Sequence, residues 1–192
     1  MMRVAVLFSG RGSNMQVLAE HMATPQVEAE FVLGLSNRPN AGGLAYCAEI
    51  GVEAHAIDHT AFDSRAAFDA ELDKALRAAN VELICCAGFM RLLTAEFVDS
   101  WRDRIINIHP SLLPKYKGLN THARAIEAGD TEAGCSVHYM RPEMDDGPVI
   151  VQRRVPILDT DTPETLAARV LVEEHIAYPQ ALDAVLKKMA GT

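Results

Sequence analysis

Basic charge is in short supply in this chain of 192 residues: 18 Lys and Arg stand against 26 Asp and Glu, a net charge of −8. No basic stripe is present, so nucleic acid is not an expected partner. Long hydrophobic runs are missing too. None approaches the ~20 apolar residues of a membrane span, so no membrane association is expected. Cysteine is limited to Cys47, Cys85, Cys86 and Cys135. None forms a CxxC, and no Cys/His cluster has zinc spacing, so no metal is expected. Cys85 and Cys86 lie inside an apolar run and read as core thiols. The opening residues run straight into a strand pattern instead of a signal-peptide layout, which leads us to expect a cytoplasmic location. With no repeat, low-complexity tract or linker, residues 1–192 read as a single domain.

What is present is alternation. Short apolar runs at 3–8, 30–36, 53–57, 81–87, 104–108, 134–140 and 148–155 predict strands, and helical patterns occupy 14–23, 41–50, 63–79, 94–101, 121–128 and 162–189. The first half is β-α-β-α-β-α-β. This predicts an α/β fold: a Rossmann-like, mostly parallel twisted sheet with helices on both faces. The last two strands, joined by 141–147, predict an added β-hairpin before a long C-terminal helix. Asp63 or Ser64 can cap the helix at 63–79. Thr162 and Pro163 suit the N-cap and N1 of the last helix, which Pro179 is expected to kink or interrupt.

Ligands of open α/β sheets bind beyond the carboxyl ends of the strands. The first such loop is Ser9-Gly10-Arg11-Gly12-Ser13-Asn14. It lacks the third small residue of a dinucleotide fingerprint, and the second strand ends in Leu35-Ser36-Asn37 without the required acid. The loop suits a single phosphate at a helix N-terminus. An ordinary strand–helix turn, with Ser13 or Asn14 merely capping, is the alternative.

The densest stretch is 105–126. Period two puts Asn107 and His109 on one side of a strand end. An amide beside an imidazole offers an oxyanion donor plus an acid–base group, although a polar strand end that bonds locally has the same sequence. Asp145-Asp146-Gly147 marks a turn. A carboxylate brought beside His109 would favour its charged form and orient the ring. Arg65 sits in a first helical turn, where the dipole disfavours a cation; a local salt bridge to Asp63 or Asp69 would explain it. Glu174 falls on or beside an apolar helix face and needs a partner. His138, inside a strand pattern, reads as a core or surface histidine.

Together these pieces resemble the phosphoribosylglycinamide formyltransferases of the folate-dependent formyltransferase superfamily. The resemblance rests on Ser9–Asn14, Ala87-Gly88-Phe89-Met90-Arg91-Leu92-Leu93, Asn107-Ile108-His109-Pro110-Ser111-Leu112-Leu113-Pro114 and Asp145-Asp146-Gly147-Pro148-Val149-Ile150. Gly118-Leu119-Asn120-Thr121-His122 and Glu174-His175 narrow it within the superfamily. It implies formyl transfer from 10-formyltetrahydrofolate to the amine of 5-phosphoribosylglycinamide, in de novo purine synthesis, without a metal. By position, Gly12, Ser13 and Asn14 would hold the substrate phosphate and Glu174 the ribose hydroxyls. Arg65, Met90, Arg91, Leu92 and Leu93 would bind the folate with the loop from Arg141 to Asp145. Asn107, His109 and Asp145 would carry the chemistry in contact with the folate. The N-terminal half would thus serve phosphate binding, and the C-terminal half folate binding and catalysis. Small molecules are the implied partners, with the protein a monomer or homodimer.

Three other readings fit less of the chain. Methionyl-tRNA formyltransferases carry a further C-terminal domain for tRNA, which an acidic chain of this length is not expected to match. Formyltetrahydrofolate deformylases carry an N-terminal regulatory domain. A nucleotide-binding sensor would use the glycine loop but have no need of Asn107, His109 and Asp145.

Overall fold

A computed structural model describes residues 1–191. In chain order the elements are β1 (Met2–Phe8), α1 (Ser13–Met22), β2 (Ala29–Ser36), α2 (Gly42–Glu49), β3 (Ala54–Ala56), α3 (Arg65–Ala78), β4 (Leu83–Cys86), α4 (Ala95–Ser100), β5 (Ile105–His109), α5 (Thr121–Glu127), β6 (Glu132–Tyr139), β7 (Val149–Pro156) and α6 (Pro163–Met189). A short 3-10 turn, His59–Ala61, precedes α3. The strands form a seven-stranded sheet in the order β3-β2-β1-β4-β5-β6-β7. β1 pairs in parallel with β2 and β4, and β2 with β3. β6 and β7 pair antiparallel, as a hairpin. The expected α/β architecture is therefore present, with no element end shifted by more than two residues. By contacts the chain falls into two compact units, 1–106 and 107–192.

In the first unit, β1 explains the continuous apolar run. Val4, Ala5, Val6, Leu7 and Phe8 are all fully buried, the pattern of a central parallel strand covered on both faces. The four residues of β4 are buried likewise, which makes Cys85 and Cys86 core thiols; burial pushes the Cys86 thiol up to about 12. Helix α3 is capped by Ser64, whose hydroxyl accepts from Ala67 N at 3.1 Å. It buries Phe68, Leu72 and Leu76 at helical spacing. Asp69 is also buried, and accepts from Thr94 N at 2.6 Å, tying α3 to the cap residue of α4.

In the second unit, α6 lays a stripe of Leu166, Val170, Ala177, Tyr178, Ala181, Leu182 and Val185 into the core. Thr162 and Thr165 form a reciprocal capping box, with Pro163 in the first turn. Of the two effects expected of Pro179, a kink or an interruption, the interruption does not occur: α6 runs unbroken for 27 residues. Buried Ala177, Tyr178, Ala181 and Leu182 surround the proline in sequence, so tertiary packing outweighs the backbone bond that proline cannot make.

Among the described residues, no helix is long and apolar enough to cross a membrane. Nor does any cluster of three or more His, Cys, Asp or Glu stand ready for a metal ion.

Candidate active site

In the second unit, β5 and the segments around it bring Asn107, His109 and Asp145 together. His109 closes β5 and is buried. Its Nδ1 lies 3.4 Å from Asp145 Oδ2, with both side chains about nine-tenths buried. Its Nε2 lies 2.9 Å from Tyr116 O. A carbonyl only accepts, so Nε2 carries the proton. The Asp145 carboxylate faces the other nitrogen, so both ring nitrogens are held and the ring is oriented. Asp145 is held in turn: its Oδ2 accepts from Gly118 N at 2.9 Å, and its backbone has φ 52°, a left-handed conformation that Asp tolerates better than most residues. The neighbouring Asp146 pairs with Lys117. The loops 110–120 and 140–148 are thereby clasped around the imidazole.

Sequence reasoning missed one member of this group. His138 is neither a surface residue nor a mere core filler. Its Nε2 lies 3.3 Å from Asn107 Nδ2 and 3.7 Å from Asp145 Oδ1, while its Nδ1 lies 3.0 Å from Tyr139 O. Burial holds its pKa below the ordinary range, with the His109 charge pressing the same way, against the Tyr139 carbonyl and Asp145. A neutral ring with its proton on Nδ1 satisfies both hydrogen bonds: it donates to Tyr139 O and accepts from the Asn107 amide. That fixes which way the amide faces and leaves its second N–H to donate. The β6–β7 register shifts between Val137 and His138, a bulge of the kind that re-aims a side chain beside a site. Only the polarity of His138 within an apolar strand could have drawn attention to it. His122, also depressed by burial and then by His109, has its Nδ1 buried without a hydrogen-bond partner.

Glu174 sits within the buried stripe of α6. Its charge adds to the burial that pushes the Cys135 thiol up to about 12. Arg141 donates to Met140 O at 2.8 Å and lies over the Tyr139 ring.

In the first unit, α1 has Gly12 as N-cap, at φ 78°, and no side chain caps it. Ser13 and Asn14 are already helical, so the capping role that sequence allowed them is not what they do. The first-turn N–H groups are oriented for an anion. A Cβ at Gly12 would stand 2.8 Å from Met15 Cε and 3.4 Å from Gly43 Cα. Arg65 opens α3, exposed, and forms no ion pair with Asp63 or Asp69; the local salt bridge is absent among the described residues. Met90 and Leu92 expose large apolar side chains, at 57% and 56%, whereas Leu93 is buried and offers a ligand only its backbone. The Arg91 guanidinium lies over the Phe68 ring, with Nε buried and unpartnered.

Comparison with known proteins places the chain in a family. The family described as formyl transferase matches residues 2–182. Phosphoribosylglycinamide formyltransferase of Escherichia coli is 42% identical over 178 residues, 93% of this chain and 84% of that protein. The trifunctional purine biosynthetic protein adenosine-3 of Drosophila melanogaster is 49% identical over 94% of this chain. The chain spans only 13–18% of the length of such trifunctional relatives. The crystal structure of glycinamide ribonucleotide transformylase 1 from Symbiobacterium toebii superposes with a TM-score of 0.92 at 42% identity, covering 95% of this chain and 86% of that one. This chain belongs to the formyl transferase family, among its phosphoribosylglycinamide formyltransferases.

Proposed function

We propose that this chain transfers the formyl group of 10-formyltetrahydrofolate to the amine of 5-phosphoribosylglycinamide, with residues 1–192 working as one formyltransferase domain. The observation that carries the reading is the buried His109–Asp145 pair beside Asn107 at the carboxyl end of β5. The names of the relatives support the acceptor, phosphoribosylglycinamide.

In this reading the substrate amine attacks the formyl carbon, forming a C–N bond and a tetrahedral oxyanion. The Asn107 amide, oriented by His138, donates its second N–H to that oxygen. His109 donates Nε2–H, which exchanges Tyr116 O for the oxyanion. Asp145 holds the His109 ring from its other nitrogen, so the developing negative charge meets donors already in place. The attacking nitrogen then loses a proton, N10 of the folate gains one, and the C–N10 bond breaks. Asp145, within reach of both histidines, is the group to relay that proton through water. The open first turn of α1, from Gly12 to Asn14, would receive the substrate phosphate, and Glu174 the ribose hydroxyls. Arg65, Arg141 and the exposed Met90–Leu92 segment would contact the folate.

The test mixes purified protein with 10-formyltetrahydrofolate and 5-phosphoribosylglycinamide and follows the folate by absorbance. Amine-dependent conversion to tetrahydrofolate is expected. Donor loss without the amine would replace transfer by hydrolysis, and nucleotide binding without conversion would favour a sensor.

A further inference from the structure

Ser9 is the first residue after β1 and is almost fully buried. Its hydroxyl donates to Asn37 Oδ1 at 2.5 Å and accepts from Met90 N at 2.7 Å. Its own backbone N donates to Gly88 O at 3.1 Å. Two of its groups thus hold the 88–90 turn. Asn37, fully buried just past the end of β2, is fixed in its turn by His59, whose Nδ1 lies 2.9 Å from Asn37 O. Three chain segments are joined at one hydroxyl: the start of the glycine loop, the end of β2 and the start of the Met90–Leu93 segment.

This buried hydroxyl commits its one O–H and one of its two lone pairs, and each bond polarises the other. Met90 itself is exposed, so packing of its side chain does not fix this turn. The hydrogen bond from its backbone does.

We propose that Ser9 is a positioning residue that couples occupancy of the glycine loop to the geometry of the Met90–Leu93 segment. The inference rests on the proposed function, in which the loop takes a phosphate monoester and the segment a reduced folate. A ligand that settles the loop fixes the strand end bearing Ser9, and through its hydroxyl the Met90 amide. Each ligand then tightens binding of the other by the same factor, as linkage requires.

The experiment measures dissociation constants for 5-phosphoribosylglycinamide and for tetrahydrofolate, each with and without the other, so that no turnover is needed. Wild-type protein is expected to show mutual tightening of about three- to tenfold, the scale of one buried hydrogen bond. Ser9→Ala is expected to bring that factor close to one, while Ser9→Thr, which keeps a hydroxyl, retains most of it. Amide exchange supplies a second readout on wild-type protein alone: the nucleotide should slow exchange at Met90 N–H. If both ligands bind and the factor is the same in wild type and Ser9→Ala, the proposed function stands and the role of Ser9 falls. An unchanged Met90 exchange rate on nucleotide binding overturns it too. If neither ligand binds wild-type protein, the proposed function fails and the coupling fails with it.

Discussion

Gly147 lies so close against Tyr139 that a Cβ placed on it would stand 1.6 Å from the Tyr139 carbonyl oxygen. No rotamer relieves such a contact, because both partners are backbone. The approach closes the 140–148 loop, where Tyr139 N also donates to Pro148 O at 3.0 Å. It sets where Asp145 stands. Gly147→Ala is expected to cost about 2 kcal/mol or more of stability, and to lower formyl transfer at least tenfold in the protein that remains folded, because Asp145 is displaced from His109. Urea unfolding and kcat on the same preparation check both.

Asp145→Asn keeps the size of the side chain and an acceptor for Gly118 N but removes the charge opposite His109. Turnover is expected to fall by about 10²- to 10⁴-fold, the range for loss of a positioned acid–base group. A variant with near wild-type kcat would remove Asp145 from the mechanism.

His138 gives the pH dependence its sign. Its folded pKa lies below the ordinary histidine range because of burial, so near neutral pH the unfolded chain takes up the proton first. The stability supplied by a neutral His138 is complete above about pH 6.5 and declines as the pH falls toward the folded value. The urea midpoint of wild-type protein should drop between about pH 7 and 5, and His138→Gln should flatten that slope. A parallel slope in the two proteins would mean that His138 is not the group being protonated.

Arg65, placed in the folate site by the proposed function, should separate binding from stability. The exposed side chain forms no ion pair among the described residues, so Arg65→Ala should leave unfolding within about 0.5 kcal/mol of wild type. The same change should raise KM for the folate several-fold with little effect on kcat. Unchanged KM would take Arg65 out of the folate site.

Thr162→Ala tests an element remote from the chemistry. It removes one half of the capping box of α6, at a cost of about 1 kcal/mol. For a chain of this size that lowers Tm by roughly 2–4 °C, while kcat stays unchanged.

The sheet was legible because Val4–Phe8 of β1 and all of β4 are buried, which demands unbroken apolar runs, and because helices α3 and α6 repeat their apolar residues every third or fourth position. Asn107 and His109 were legible because they share one strand, where period two decides their side. His138 was not: its place beside Asn107 depends on which strand neighbours which and on a one-residue bulge, neither written in local sequence. The helical pattern over 162–189 was legible, but that Pro179 would not interrupt it was not, since burial of Ala177, Tyr178 and Ala181 decides that. Nor did the glycine loop announce that its cap would be Gly12 instead of Ser13, because that turns on a backbone angle that only packing against Met15 and Gly43 selects.

The bare start of α1 sets a limit on how this protein tolerates improvement. A helix that begins on glycine leaves its first N–H groups for a visitor, and it is least secure when no visitor comes. Gly12 stands at φ 78°, and a Cβ there would meet Met15 Cε at 2.8 Å. An acidic residue at this position would be strained, and it would lack the extended backbone from which a cap side chain reaches the first N–H groups. Glycine is the residue this turn accepts, and a helix start without a side-chain cap of its own is the consequence.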